Sequence, residues 1–69
     1  MKDLMELPDG TTTRNRRVFL TQWGRYMRRI QKALNVRVIA FGSGEVRIAD
    51  NVTCERATVP RWLIERMLP

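Results

Sequence analysis

A chain of 69 residues with 43% hydrophobic and 29% charged side chains is short, but it is too apolar for a disordered tail. We expect residues 1–69 to form a single small domain in the cytoplasm, because no apolar run approaches the ~20 residues of a membrane span and residues 1–10 lack the pattern of a signal peptide. One cysteine and no histidine argue against a disulfide within the chain, a metal site, a cofactor or an enzyme with a histidine base.

The net charge of +6 comes from the middle of the chain. Residues 1–9 carry one lysine and three acids, and residues 45–69 carry four arginines and four acids. Residues 10–44 carry eight cations and no acid at all. Because one segment holds more than the whole net charge, the distribution indicates an anionic partner that contacts this segment.

Residues 1–13 predict an N-terminal arm. Pro8 ends any helical turn that precedes it, and Asp9-Gly10 is a strong turn signal. The arm is expected either to fold back, so that its acids cover part of the basic surface, or to remain a frayed terminus.

Residues 14–35 predict a long amphipathic helix, because apolar side chains recur every three or four positions. The side expected to be buried consists of Phe19, Leu20, Trp23, Tyr26, Met27, Ile30, Ala33 and Leu34. The opposite side is cationic and consists of Arg14, Arg17, Arg25, Arg28, Arg29 and Lys32. The helix is therefore expected to pack on a core by one side and to present only positive charge on the other.

Both ends of this helix carry candidate capping residues. Thr11, Thr12 and Thr13 are the first candidates for the N-cap, Asn15 is the second, and Asn35 is expected to end the helix. Arg14, Arg16 and Arg17 gather at the N-terminus, where the helix dipole disfavours cations by about 0.3–1 kcal/mol each. Since free N–H groups at the same end attract anions, these arginines predict a phosphate pocket.

Residues 36–50 predict an antiparallel β-hairpin with Ser43-Gly44 as a two-residue turn. The predicted register pairs Phe41 with Val46, Ile39 with Ile48 and Arg37 with Asp50, on the face that receives the helix. The other face would carry Val38, Ala40, Arg47 and Ala49. A slip of one residue exchanges the two faces.

Residues 52–59 predict a weakly patterned third strand in which Cys54 is half-buried. Pro60 fits the first turn of a short C-terminal helix over residues 61–68, with Thr58 as its cap. Apolar residues cover most of this helix, so Trp62, Leu63 and Met67 predict packing on the sheet or a homodimer contact. The predicted fold class is α+β: a long amphipathic helix, a β-hairpin that the third strand extends to three, and a short C-terminal helix.

The charge pattern favours a non-catalytic nucleic-acid-binding protein that uses the basic face of the helix at 14–35. Five of the six cations on that face are arginine, whose planar fork suits bidentate contacts with phosphate or guanine. The predicted contact residues are Arg14, Arg16, Arg17, Arg25, Arg28, Arg29, Lys32 and Arg37. The partner is expected to be the phosphate backbone of DNA or RNA.

The alternative is a small regulatory or inhibitory protein, of the kind phages often encode, whose cationic helix docks on an acidic surface of a larger protein. A merely solvated face would normally mix acids with its cations. Membrane binding would require the helix to withdraw its apolar side from the one core available. The acids Glu45, Asp50 and Glu55 do not predict an active site, so no enzyme is expected.

Overall fold

A computed structural model describes residues 3–42 and 44–69, and it confirms the α+β fold class. Two short strands come first, β1 (Met5–Glu6) and β2 (Thr12–Thr13), and are followed by the helix α1 (Arg16–Leu34). The strands β3 (Val36–Gly42), β4 (Glu45–Asp50) and β5 (Arg56–Pro60) come next, and the helix α2 (Arg61–Met67) is last. Strands β1 and β2 pair with each other, and β3, β4 and β5 form an antiparallel sheet in that spatial order.

The helix α1 begins two residues later than predicted because Asn15, the second candidate, is its cap. The Oδ1 atom of Asn15 accepts hydrogen bonds from the backbone N–H groups of Arg17 and Val18 at 2.9 and 3.3 Å. Thr13 accepts a bond from Asn15 N instead of capping the helix. At the other end, Asn35 adopts a left-handed conformation with φ 53° and donates to Gln31 O, which confirms it as the residue that ends the helix.

The core forms where α1 packs on one face of the three-stranded sheet. Its buried residues are Tyr26, Ile30, Val36, Val46 and Ile64, with Trp23, Leu34 and Phe41 among the half-buried residues around them. Leu20 and Ala33 were predicted to be buried but are exposed. Both lie at the edges of the apolar arc of α1, and a sheet of three short strands covers only its middle.

The hairpin has the predicted register only beside its turn. The observed pairs include Phe41 with Val46, Val38 with Ile48, Arg37 with Ala49 and Val36 with Asp50, and the register shifts between Val38 and Ala40. Ile39 lies at this β-bulge and is 41% exposed. The bulge lets Val36, Val38 and Phe41 all face α1, whereas strict alternation from Phe41 would turn Arg37 towards the core. Gly44 has φ 75°, and Ser43 lies outside the described residues.

The predicted third strand exists but is shorter, because residues 51–53 form a turn. The Oδ1 atom of Asp50 accepts hydrogen bonds from the N–H groups of Thr53 and Val52 at 3.0 and 2.7 Å. These bonds, that of Thr53 first, lower the Asp50 pKa below its ordinary value of 3.8. Cys54 has φ 66° and is exposed, so the prediction of a half-buried strand position is wrong.

The helix α2 contributes Ile64 to the core and leaves its other apolar side chains outside. Ile64 is fully buried, whereas Trp62, Leu63 and Met67 are 62%, 37% and 45% exposed. Pro60 occupies the N-cap position without a side-chain hydrogen bond, so Thr58 is not the cap. Thr58 pairs with Arg47 inside the sheet instead.

The arm folds back onto both helices. Leu7 is 8% exposed, and the Nε1 atom of Trp23 donates a hydrogen bond to Glu6 O at 2.9 Å. The Nη2 atom of Arg61 donates to Pro8 O at 2.7 Å. The arm is therefore held through its backbone carbonyls, and its acidic side chains remain at the surface.

Candidate nucleic-acid interface

Five of the predicted contact residues share the exposed side of α1. We call Arg17, Arg25, Arg28, Arg29 and Lys32 the helix-face cluster, and all five are exposed. The last four contain four pairs that are three or four residues apart along the helix, and the Cβ atoms of such pairs lie about 5–6 Å apart. Like charges at that spacing disfavour a helix by roughly 0.2–0.5 kcal/mol per pair. Helix stability by itself therefore does not account for this cluster.

Two predicted contact residues, Arg14 and Arg16, lie apart from the cluster at the N-terminal end of α1. They line a hollow together with Asp3, Met5 and Asn15. Asn15 already accepts hydrogen bonds from two of the N–H groups that a phosphate would use, and Asp3 brings a negative charge into the same hollow. The predicted phosphate pocket is therefore partly filled by acceptors of the chain itself.

The structure does not bring Arg37 to the helix-face cluster. Its neighbours Val36 and Val38 face α1, and side chains alternate along a strand, so Arg37 lies on the opposite face of the sheet. It pairs with Ala49 rather than Asp50. The predicted orientation of Arg37 towards the helix is therefore wrong, because the bulge at Ile39 reverses the alternation.

Two carboxylates border the helix-face cluster on one side. Asp9 of the arm and Glu65 of α2 line a hollow with Arg25 and Arg29. The carboxylate of Asp9 accepts bonds from the hydroxyl and the N–H of Thr11, which lower its pKa and keep it ionised. The Nη2 atom of Arg29 donates a hydrogen bond to Pro69 O at 3.5 Å rather than to either of these carboxylates. The arm therefore lies beside the cluster without neutralising it.

Arg61 has a structural role that its place in the sequence did not reveal. Its guanidinium carbon lies 5.1 Å from the ring centroid of Trp23 and 5.3 Å from that of Tyr26. The side chain of Arg61 donates the hydrogen bond to Pro8 O, and its backbone N–H donates another to Gly44 O at 2.9 Å. Arg61 thus joins the arm, α1, the hairpin and α2, and the charge count had placed it in a balanced segment.

Tyr26 and Arg61 each carry one buried polar atom that lacks a hydrogen-bond partner among the described residues. These atoms are the hydroxyl oxygen of Tyr26 and the Nε atom of Arg61. Burial raises the Tyr26 pKa above its ordinary value of 10.0, while the nearby Arg61 lowers it and Glu65 raises it by smaller amounts. The phenol therefore stays neutral at physiological pH and acts as a core aromatic residue.

Two further observations concern membrane spans and metal ligands. None of the helices in residues 3–42 and 44–69 combines the length and the apolar character needed to cross a membrane. Within those same ranges, no three side chains of the His, Cys, Asp and Glu types come together as metal ligands would.

Comparison of the chain with protein-family models, with curated proteins and with solved structures finds no match.

Proposed function

We propose that this protein binds nucleic acid without catalysis and that the helix-face cluster is its contact surface. The observation that carries the proposal is the exposure of five cations on one side of α1, a helix that has no acidic residue between Arg16 and Leu34. From Arg17 to Lys32 the helix rises about 22 Å, a length over which B-DNA presents roughly a dozen phosphate charges. The five cations are therefore fewer than the phosphates along that length, so each of them can contact a phosphate of one duplex.

The expected recognition is of the phosphate backbone. Four of the five residues are arginines, whose planar guanidinium groups donate two parallel bonds to a phosphate. Contacts of this kind supply affinity and orientation but no sequence information. We propose that the protein acts in the cytoplasm on DNA or RNA, with a strong dependence on salt and a weak dependence on sequence.

Replacing Arg28 with glutamate should weaken binding to every duplex and reduce its salt dependence. Arg28 lies near the middle of the cluster, so its loss should remove about one phosphate contact. The slope of log K against log salt is negative, and its magnitude should fall by about 0.9. Affinity at low salt should fall by about ten-fold or more, because the new carboxylate also repels the backbone. Fluorescence anisotropy of a labelled 20-bp duplex over several salt concentrations measures both quantities.

The matched control is Arg66→Glu, which makes the same change of charge on the exposed part of α2. Its salt slope should equal that of the wild-type chain, and its affinity should change by less than about three-fold through long-range charge alone. Equal effects of the two substitutions would mean that net charge, rather than the helix-face cluster, governs binding. An unchanged slope in Arg28→Glu would remove the cluster from the mechanism.

A second candidate is the small regulatory or inhibitory protein, and the exposed apolar side of α2 favours it. Trp62, Leu63 and Met67 form this α2 patch, and large aromatic side chains often anchor protein interfaces. In this candidate the helix-face cluster steers the chain to an acidic protein surface and the α2 patch supplies the affinity. The predicted homodimer would use the same α2 patch.

Light scattering of the purified chain separates the two uses of the α2 patch. A homodimer has twice the 8.1 kDa mass of one chain, and replacing Trp62 and Met67 with glutamate should return it to that of the monomer, since charges are costly in an apolar interface. A wild-type chain that is monomeric at high concentration would contradict the homodimer. The α2 patch would then be assigned to the contact with a different protein.

A further inference from the structure

The face of the sheet that points away from α1 carries a second group of arginines, which only the register reveals. The pairing places Arg37, Ala49 and Arg56 in one row across the three strands, and Ala40, Arg47 and Thr58 in the next. Each strand therefore contributes one arginine to the same face. We call Arg37, Arg47 and Arg56 the sheet-face cluster.

The spacing of these residues follows from sheet geometry. Neighbouring strands are about 4.8 Å apart and alternate residues of a strand about 6.7 Å, so the three Cα atoms form a triangle with sides of roughly 8–10 Å. All three arginines are exposed. Ala40, Ala49 and Thr58 fill the positions between them, and these small side chains leave the long guanidinium groups free to reach one ligand.

The composition of this face suits a phosphate backbone better than a protein or a stacked base. Among the described residues of the alternating positions, Glu45 is the one acid, in the row nearest the turn, and none is aromatic. Protein interfaces generally need large apolar anchors, and single-stranded nucleic acid generally needs aromatic rings on which bases stack. Three arginine forks on a flat, small-residue surface instead match the oxygens of a phosphate backbone.

The sheet-face cluster and the helix-face cluster point in opposite directions. The buried face of the sheet receives Ile30 of α1, and Arg28 and Lys32 lie about 160° from Ile30 around that helix. One cluster therefore forms the outer surface of the helix layer, and the other forms the outer surface of the sheet layer. A 20-bp duplex, far shorter than the ~150-bp persistence length, behaves as a rod and cannot follow both surfaces.

We infer that the sheet-face cluster is a second phosphate-binding surface, which lets one molecule bridge two nucleic-acid segments. This inference rests on the proposed function, since the helix-face cluster holds the first segment. The two surfaces have different roles in a measurement: loss of the helix-face cluster weakens binding of one duplex, whereas loss of the sheet-face cluster removes bridging and leaves the binding of one duplex.

A two-duplex capture assay tests the inference with the 69-residue chain. One 20-bp DNA duplex is biotinylated and immobilised, a second is fluorescent, and the protein is added at limiting concentration. The test variant is Arg47→Glu, which places a carboxylate at the centre of the sheet-face cluster, and Arg66→Glu is the control with the same change of charge. Arg47→Gln serves as a milder variant, and thermal unfolding shows whether each chain is folded.

The wild-type chain and Arg66→Glu should both retain the fluorescent duplex, whereas Arg47→Glu should retain at least about ten-fold less. In anisotropy, the affinity of Arg47→Glu for a single duplex should stay within about three-fold of that of Arg66→Glu. Bridging that survives in folded Arg47→Glu overturns the inference and indicates a dimer that uses two helix-face clusters. A wild-type chain that binds one duplex but bridges none overturns the inference alone, and one that binds no duplex overturns the proposed function with it.

Discussion

Replacing Ile30 with alanine should lower the free energy of unfolding by about 2–5 kcal/mol. Ile30 lies in the middle of α1, is fully buried, and packs in the cluster that contains Tyr26, Val36, Val46 and Ile64. A cavity at this point removes contacts with the sheet and with α2 at once. Since ordinary domains have only about 5–15 kcal/mol of stability and a chain this short is near the lower end, the effect should be severe.

Leu20→Ala is the matched control for Ile30→Ala. It removes a side chain of the same size from the same helix, but Leu20 is 55% exposed, so the loss should be below about 1 kcal/mol. Urea denaturation followed by circular dichroism measures both variants. If Ile30→Ala is unfolded without urea, Ile30→Val provides the comparison, with an expected loss of about 0.5–1.5 kcal/mol. Equal losses for the two positions would contradict the placement of α1 on the sheet.

Replacing Arg61 with alanine should cost about 2–4 kcal/mol, although Arg61 is a half-buried arginine on a short helix. Its guanidinium group lies near the rings of Trp23 and Tyr26, and cation–π contacts contribute about 0.5–2 kcal/mol as they become desolvated. Its hydrogen bond to Pro8 O belongs to the charged class, which contributes about 1.5–3 kcal/mol. The two contributions overlap, so their sum is an upper limit.

Two further variants identify the chemistry of the Arg61 contact. Arg61→Lys keeps the charge but lacks the planar fork that meets two rings and a carbonyl together, so it should recover little of the loss. Arg66→Ala, on the exposed part of the same helix, should cost less than about 0.5 kcal/mol. Full stability of Arg61→Lys would show that the charge alone matters at this position.

Hydrogen exchange gives a second readout for Arg61, because its loss should release the arm before the rest of the fold. The backbone N–H groups of Leu7 and Gly10 donate to Thr11 O and Leu7 O within the arm. In Arg61→Ala they should exchange faster than the amides of the central strand β4, since the arm loses its bond to α2 while the sheet keeps its ladder. Uniformly faster exchange would instead indicate global unfolding.

The helix-face cluster was predictable because it depends on local spacing. Arg17, Arg25, Arg28, Arg29 and Lys32 are exposed on one side of α1, as the periodicity of the apolar residues indicated. The other predicted contact residues depend on what surrounds them. Arg14 and Arg16 share a hollow with an acid of the arm, and Arg37 belongs to the opposite face of the sheet.

The amino-acid pattern by itself determined the order of the main elements, the end of α1 at Asn35, the hairpin turn region and the acid-free cationic segment. These features follow from residue periodicity, capping and turn chemistry, which act over a few neighbouring residues. The exposure of Leu20 and of Cys54 was not predictable in this way, because it depends on how far a short sheet extends.

Only the tertiary structure decided the bulge at Ile39, the sheet-face cluster and the role of Arg61. The bulge allows Val36, Val38 and Phe41 all to bury apolar surface against α1, which strict alternation would not permit. As a result, Arg37 lies on the face of the sheet away from α1. Arg61 reaches Pro8 across 53 positions of the chain. Contacts between such distant residues have no local pattern in the sequence, since they arise when the helices and the sheet pack together.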